Sequence, residues 1–174
     1  TMTKRLEAIN VPSTPENRLL FRETILSSES MKECIGGVIL YDETINQTTS
    51  VGKSIPDLIS SSGALPGIKV DTGTKNLANS SEEKITEGLD GLRERLKKYY
   101  KLGARFTKWR GVYCISDKYP SKLAIHSNAL ALAQYSALVQ ESKMVPIVEP
   151  EVLMDGNHSA ETCLSKTSEV IKKC

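Results

Sequence analysis

The sequence predicts an α/β fold of alternating strands and helices, and among such folds a (β/α)8 TIM barrel of which only part is present. Three observations carry this. First, four short apolar runs, at 35–41, 67–71, 106–114 and 145–149, alternate with segments of helical periodicity, and that order builds a parallel sheet with right-handed crossovers. Second, no Gly-x-Gly-x-x-Gly opens any of the helices, which removes the dinucleotide-binding form of the doubly wound sheet, the other architecture that fits. Third, all four runs end in ionisable residues, and a barrel draws its functional groups from the C-terminal ends of several strands. A closed barrel takes roughly 250 residues. The 174 present therefore read as one partial barrel domain, 1–174, about half of the whole.

The elements follow in order. A helix is expected from Thr14, with Thr14 as N-cap, Pro15 at the first helical position and Glu16 in the first turn; Leu19, Glu23 and Leu26 continue it at helical spacing. The first strand, 35–41, is nearly all apolar and reads as buried on both faces. After a polar loop over 44–54, Ser54-Ile55-Pro56-Asp57 starts a short helix that runs to Ile59. The second strand, 67–71, leads into a loop rich in Gly, Asn and Ser over 72–81. A helix is expected over 86–101, where Leu89, Leu92 and Leu96 repeat at spacings of three and four, with Gly103 as its stop. The third strand is 106–114. Ser121 caps a long helix whose Leu123, Ala124, Ala131, Ala133, Ala137 and Leu138 let it lie close on a sheet. The fourth strand, 145–149, passes through a turn at Asp155-Gly156 into a last helix over 160–173.

Composition narrows the function classes. Acids and bases are interspersed and the net charge is +2, so bulk electrostatics point to neither a nucleic acid nor a membrane surface. No apolar stretch approaches the roughly 20 residues that span a bilayer, and 1–5 has no signal-peptide core, so a cytoplasmic location is expected. The four cysteines, at 34, 114, 163 and 174, lack the Cys-x-x-Cys spacing of zinc ribbons and redox pairs and read as reduced thiols. His126 and His158 have no second ligand at metal-binding spacing, so no metal is expected.

The ionisable strand ends form a pattern. Side chains alternate along a strand, so Val145, Ile147, Glu149 and Glu151 share one face, as do Lys69 with Asp71 and Lys108 with Arg110. Three successive strands thus aim paired charges the same way. One reading is a set of salt bridges at a sheet edge. Against it, a charge on an inward-facing strand position costs several kcal/mol to desolvate unless it is paired or binds something, and three strands incur that cost at equivalent positions. Bases outnumber acids among Arg5, Lys69, Lys108 and Arg110, so the excess calls for an anion, and a phosphate suits it. A Glu beside a Lys is also an arrangement with coupled protonation, as carbonyl chemistry requires. Trp109 faces away from Lys108 and Arg110, which makes it a core residue rather than a base-stacking platform.

Seven motifs occur in order along the chain: Lys4-Arg5-Leu6; Ile35-Gly36-Gly37-Val38-Ile39-Leu40 followed by Glu43-Thr44; Gly67-Ile68-Lys69-Val70-Asp71; Gly88-Leu89-Asp90-Gly91-Leu92; Gly103-Ala104 with Phe106; Lys108-Trp109-Arg110; and the run from Val145 to Glu151. In these the sequence resembles class I fructose-bisphosphate aldolase, the glycolytic Schiff-base lyase. The resemblance implies strands two to five of a (β/α)8 barrel, reversible cleavage of fructose 1,6-bisphosphate to the two triose phosphates, no metal and no cofactor, a homotetramer, and a possible cytoskeletal partner. It makes Glu149 the proton donor and acceptor and Lys108 the lysine that stabilises charge on reacting groups. It assigns Lys69, Arg110, Arg5 and Lys4 to the six-phosphate end, Arg18 to the substrate, and a supporting role to Asp71 and Glu151. The family's first-strand aspartate would precede Thr1, and its Schiff-base lysine and one-phosphate site would follow Cys174. Position 107 is Thr where the family usually has Ala, and 74–78 departs from the common loop. A non-catalytic module that holds anionic ligands or a cytoskeletal partner is the alternative.

Overall fold

The computed structural model describes residues 2–174. The elements are α1 Met2–Glu7, α2 Pro15–Leu26, α3 Met31–Cys34, β1 Gly37–Leu40, α4 Asp42–Ile45, α5 Ile55–Ser61, β2 Leu65–Lys69, β3 Gly73–Asn76, β4 Lys84–Glu87, α6 Leu92–Lys101, β5 Phe106–Tyr113, α7 Lys122–Glu141, β6 Val145–Val152 and α8 Ala160–Lys173. β1, β2, β5 and β6 form one sheet in that order, every neighbouring pair parallel. The order in space follows the order in the chain, with none of the reversal that marks a doubly wound sheet. α2, α5, α7 and α8 each begin as the sequence dictates: Thr14, Ser54, Ser121 and Ser159 accept the amide three residues on, satisfying a donor the helix leaves free.

The register stacks side chains in layers. Ile39, Gly67, Phe106 and Val145 form one layer, Lys69, Lys108 and Ile147 the next, then Arg110 with Glu149. Gly67 has a steric reason to be glycine, because a Cβ there would overlap the Phe106 ring. Burial alternates strictly along β5. Thr107, Trp109 and Tyr113 point into the helix-covered side, whereas Phe106, Lys108, Arg110 and Val112 line the other, open face. The main core lies between the sheet and its helices, with Ile68, Val70, Leu92, Leu96, Trp109, Leu132, Tyr135 and Val139 all within 1 % of fully buried.

Three expectations need correction. The first strand is not buried on both faces: Leu40 is buried, but Ile39 is 42 % exposed, because its open-face side has nothing over it. The helix expected from Thr86 starts only at Leu92. Thr86 lies in β4, which pairs antiparallel with β3 across the segment expected to be a plain loop. Gly88 and Gly91 take φ of +129° and +63°, values a right-handed helix does not accommodate, so Leu89 falls outside the helix despite its spacing. Finally, the fourth sheet strand runs three residues past Glu149, to Val152.

Buried polar contacts fix the β3–β4 hairpin beside the sheet. Thr86 Oγ1 donates to the Arg110 carbonyl at 2.7 Å. The Asn128 amide, on α7, accepts from Thr86 N and donates to the Lys84 and Ala124 carbonyls. The Glu83 carboxylate, 5 % exposed, accepts from Ser121 N at 2.7 Å and Ser121 Oγ at 2.8 Å, so an acid stands at the N-terminus of α7 where the helix dipole favours it.

Candidate active site

The open face of the sheet gathers six of the nine residues singled out in the sequence. Lys69 ends β2 and forms an ion pair with Asp71, two residues further on. The Asp71 carboxylate, 3 % exposed, also accepts from Gly73 N at 3.0 Å, which turns the chain into the hairpin. On the next strands the pairs run diagonally. Lys108 stands opposite Ile147 but reaches Glu149, with Nζ 2.8 Å from Oε2; Arg110 stands opposite Glu149 but pairs with Glu151. Glu149 is thereby framed by the two cations of β5. Its Oε2 is shielded from solvent and touches Lys108 without hydrogen-bond alignment, so Coulomb attraction holds the pair. About a third of each side chain remains exposed, which limits what the pair adds to stability to about 1 kcal/mol or less and leaves both groups reachable.

The expected surplus of cations is absent from this cluster. Lys69, Lys108 and Arg110 are matched one to one by Asp71, Glu149 and Glu151. An incoming anion must therefore displace a carboxylate from a cation or draw on charge from elsewhere.

Arg18 lies apart from the strand cluster in its contacts. Arg18, on α2, grips Glu43 with one edge of its guanidinium, Nε to Oε1 at 3.0 Å and Nη2 to Oε2 at 2.5 Å, while Arg22 Nη1 meets the same carboxylate at 2.7 Å. Lys4 and Arg5 are exposed on α1, and among the described residues no ion pair or hydrogen bond is seen from Arg5 to the strand carboxylates. Glu43, on α4 three residues past the end of β1, was legible as one more ionisable group beyond a strand, yet its role as an arginine clamp was not.

The clamp has a measurable consequence. The Arg18 hydrogen bond, reinforced by Arg22, holds the Glu43 carboxyl down at about 2, against an ordinary value of 4.5. A carboxyl whose folded value is depressed adds stability above its unfolded value and loses it as pH falls toward the folded one. Glu43→Gln is therefore expected to lower stability at neutral pH and to flatten its fall between about pH 4.5 and 2, measured by urea unfolding across that range.

The remaining singled-out residues are quieter. His126 bonds the Lys122 carbonyl at 2.7 Å on the exposed side of α7, and the four cysteines are free. Burial and the neighbouring Asp42 push the Tyr99 phenol up to about 12. It donates to Asp42 at 2.8 Å, tying α6 to the segment after β1.

Fold and site together define an α/β protein whose parallel sheet, laid down in chain order, carries helices on one face and converging ionisable groups on the other. Its relatives agree. Residues 1–174 match the glycolytic family described as fructose-bisphosphate aldolase class-I. Cytosolic fructose-bisphosphate aldolase 6 of Arabidopsis thaliana is 48 % identical over all 174 residues, which span 49 % of that protein. A probable class 1 fructose-bisphosphate aldolase of Xanthomonas campestris is 48 % identical over 172 residues, covering 99 % of this chain and 52 % of the relative. The solved Plasmodium falciparum aldolase, in complex with TRAP and a small-molecule inhibitor, superposes with a TM-score of 0.95 at 43 % identity, over 98 % of this chain and 50 % of that one. The chain belongs to the class-I fructose-bisphosphate aldolase family, and it spans about half the length of the curated relatives it matches.

Proposed function

We propose that this chain is the section of a (β/α)8 barrel from before its second strand to the helix after its fifth, forming one partial domain over 1–174. The whole protein cleaves fructose 1,6-bisphosphate reversibly to dihydroxyacetone phosphate and glyceraldehyde 3-phosphate, in glycolysis, through a lysine Schiff base. The observation that carries this reading is the meeting of Lys69, Lys108, Arg110 and Glu149 on one accessible sheet face, with Glu149 held 2.8 Å from Lys108. Forming a Schiff base requires a proton delivered to a departing hydroxyl, and in this reading Glu149 gives and retrieves it. Lys108 stabilises negative charge that develops beside it. Lys69, Arg110, Lys4 and Arg5 receive the six-phosphate, Arg18 assists at the substrate's edge, and Asp71 and Glu151 hold the cations in place.

The Schiff-base lysine in this reading lies outside these 174 residues, and no lysine present takes its place: Lys172 and Lys173 end α8, and Lys69 and Lys108 occupy other strands. A cytoplasmic location accords with the names of the Arabidopsis relatives. A homotetramer and a cytoskeletal partner belong to the same proposal by family resemblance.

Borohydride trapping with dihydroxyacetone phosphate tests the assignment. A stable adduct is expected on the full-length protein and none on the 174-residue chain alone. An adduct on the short chain would overturn the placement of the nucleophile.

A further inference from the structure

Behind the Lys108–Glu149 pair, on the helix side of the sheet, two hydroxyls meet that the mechanism above does not use. Thr107 and Tyr135 are both 0 % exposed, and Thr107 Oγ1 lies 2.6 Å from Tyr135 Oη. The same phenol donates to the Ile147 carbonyl at 3.3 Å, so the Thr107 hydroxyl supplies the proton of the shorter bond. One side chain of α7 thus links β5 at the residue before Lys108 to β6 at the residue opposite Lys108. The ring is held by Trp109, its centroid 5.3 Å away.

We propose that Tyr135, with Thr107, is a positioning residue that sets the Lys108–Glu149 separation by locking β6 against sliding along β5. This rests on the reading of Lys108 and Glu149 as the reacting pair. The ion pair is diagonal, its members two strand positions apart, so their backbones are offset by about 6.6 Å along the strand direction. Directly opposed partners tolerate a small slide, because it changes their distance only to second order. A diagonal pair changes distance in proportion. The ladder bonds hold the strands together laterally, and the Thr107–Tyr135–Ile147 chain adds a buried brace at the layer that matters.

Tyr135→Phe and the double variant Tyr135→Phe/Thr107→Ala, made in the full-length protein, test this. The single change leaves the Thr107 hydroxyl buried without a partner and the double change removes both groups, so the melting temperature is expected to fall in the first and recover in the second. In both, kcat for fructose 1,6-bisphosphate is expected to drop about tenfold with KM within about twofold, the size of effect a sub-ångström misplacement produces. A second readout does not need turnover: the rate of Lys108 reductive methylation, followed by peptide mass spectrometry, is expected to rise about threefold or more as the pair loosens. Recovery of kcat along with melting temperature in the double variant, or an unchanged labelling rate, would overturn the positioning role. Should the unsubstituted protein fail to cleave the sugar, the functional reading falls, and the labelling rate alone decides the brace.

Discussion

Glu149→Gln in the full-length protein is expected to lower kcat for fructose 1,6-bisphosphate cleavage by about 10²–10⁴-fold, the range that a positioned general acid–base supplies, with sugar bisphosphate binding retained or tightened. Glutamine keeps the shape of the side chain and cannot exchange a proton near neutrality. It also removes one of the three carboxylates that balance Lys69, Lys108 and Arg110, leaving the open face with a net positive charge that favours a phosphate. Turnover and binding thus move in opposite directions, an outcome that simple loss of structure does not give. Steady-state kinetics beside equilibrium binding of the bisphosphate separate the cases. Unchanged kcat would place the proton work on another group. Loss of binding together with turnover would mean that Glu149 serves only to hold Lys108. If the unsubstituted protein binds the sugar but never cleaves it, the alternative of an anion-binding module stands in place of the enzyme. Glu151→Gln, remote from Lys108 and partnered by Arg110, is expected to cost less.

The sequence made the sheet and its open face legible for a physical reason. A strand's period of two puts Lys108 and Arg110 on one face and Trp109 on the other, in keeping with the alternating burial from Phe106 to Tyr113, and the helix starts read at Thr14, Ser54 and Ser121 are local chemistry. What stayed hidden depended on long-range partners. The β3 strand, Gly73-Thr74-Lys75-Asn76, is polar because its side chains are largely exposed, so only its pairing with β4 makes it a strand. The leucine spacing before α6 was overridden by two glycines at positive φ. Among site residues, Lys69, Lys108, Arg110 and Glu149 could be found by parity along their strands. Their diagonal pairing could not, because register is a property of two strands at once. The Glu43 clamp and the Thr107–Tyr135 brace join residues separated by 25 and 28 positions and leave no local signature.

Trp109 is where the core and the site meet, and Trp109→Ala is expected to destabilise the full-length protein by about 3–5 kcal/mol. The side chain is 0 % exposed and packs against Tyr135 at an interplanar angle of 32°. Its removal leaves a void between the sheet and α7, which surrounding residues on a paired strand cannot collapse to fill. Among the described residues the indole Nε1 has no hydrogen-bond partner, and that separates two variants. Trp109→Phe keeps most of the ring contact while discarding an unpaired buried donor, so it is expected to cost only about 1–2 kcal/mol, well below the alanine change. Urea unfolding followed by circular dichroism measures both. Trp109 lies between Lys108 and Arg110 and faces the opposite way, so the void also frees the backbone that aims them. Trp109→Ala is therefore expected to reduce kcat at temperatures where the protein remains folded, whereas Trp109→Phe largely preserves it. A cost below about 1 kcal/mol for Trp109→Ala, or equal costs for the two variants, would show that the ring is not what joins the helix layer to the sheet.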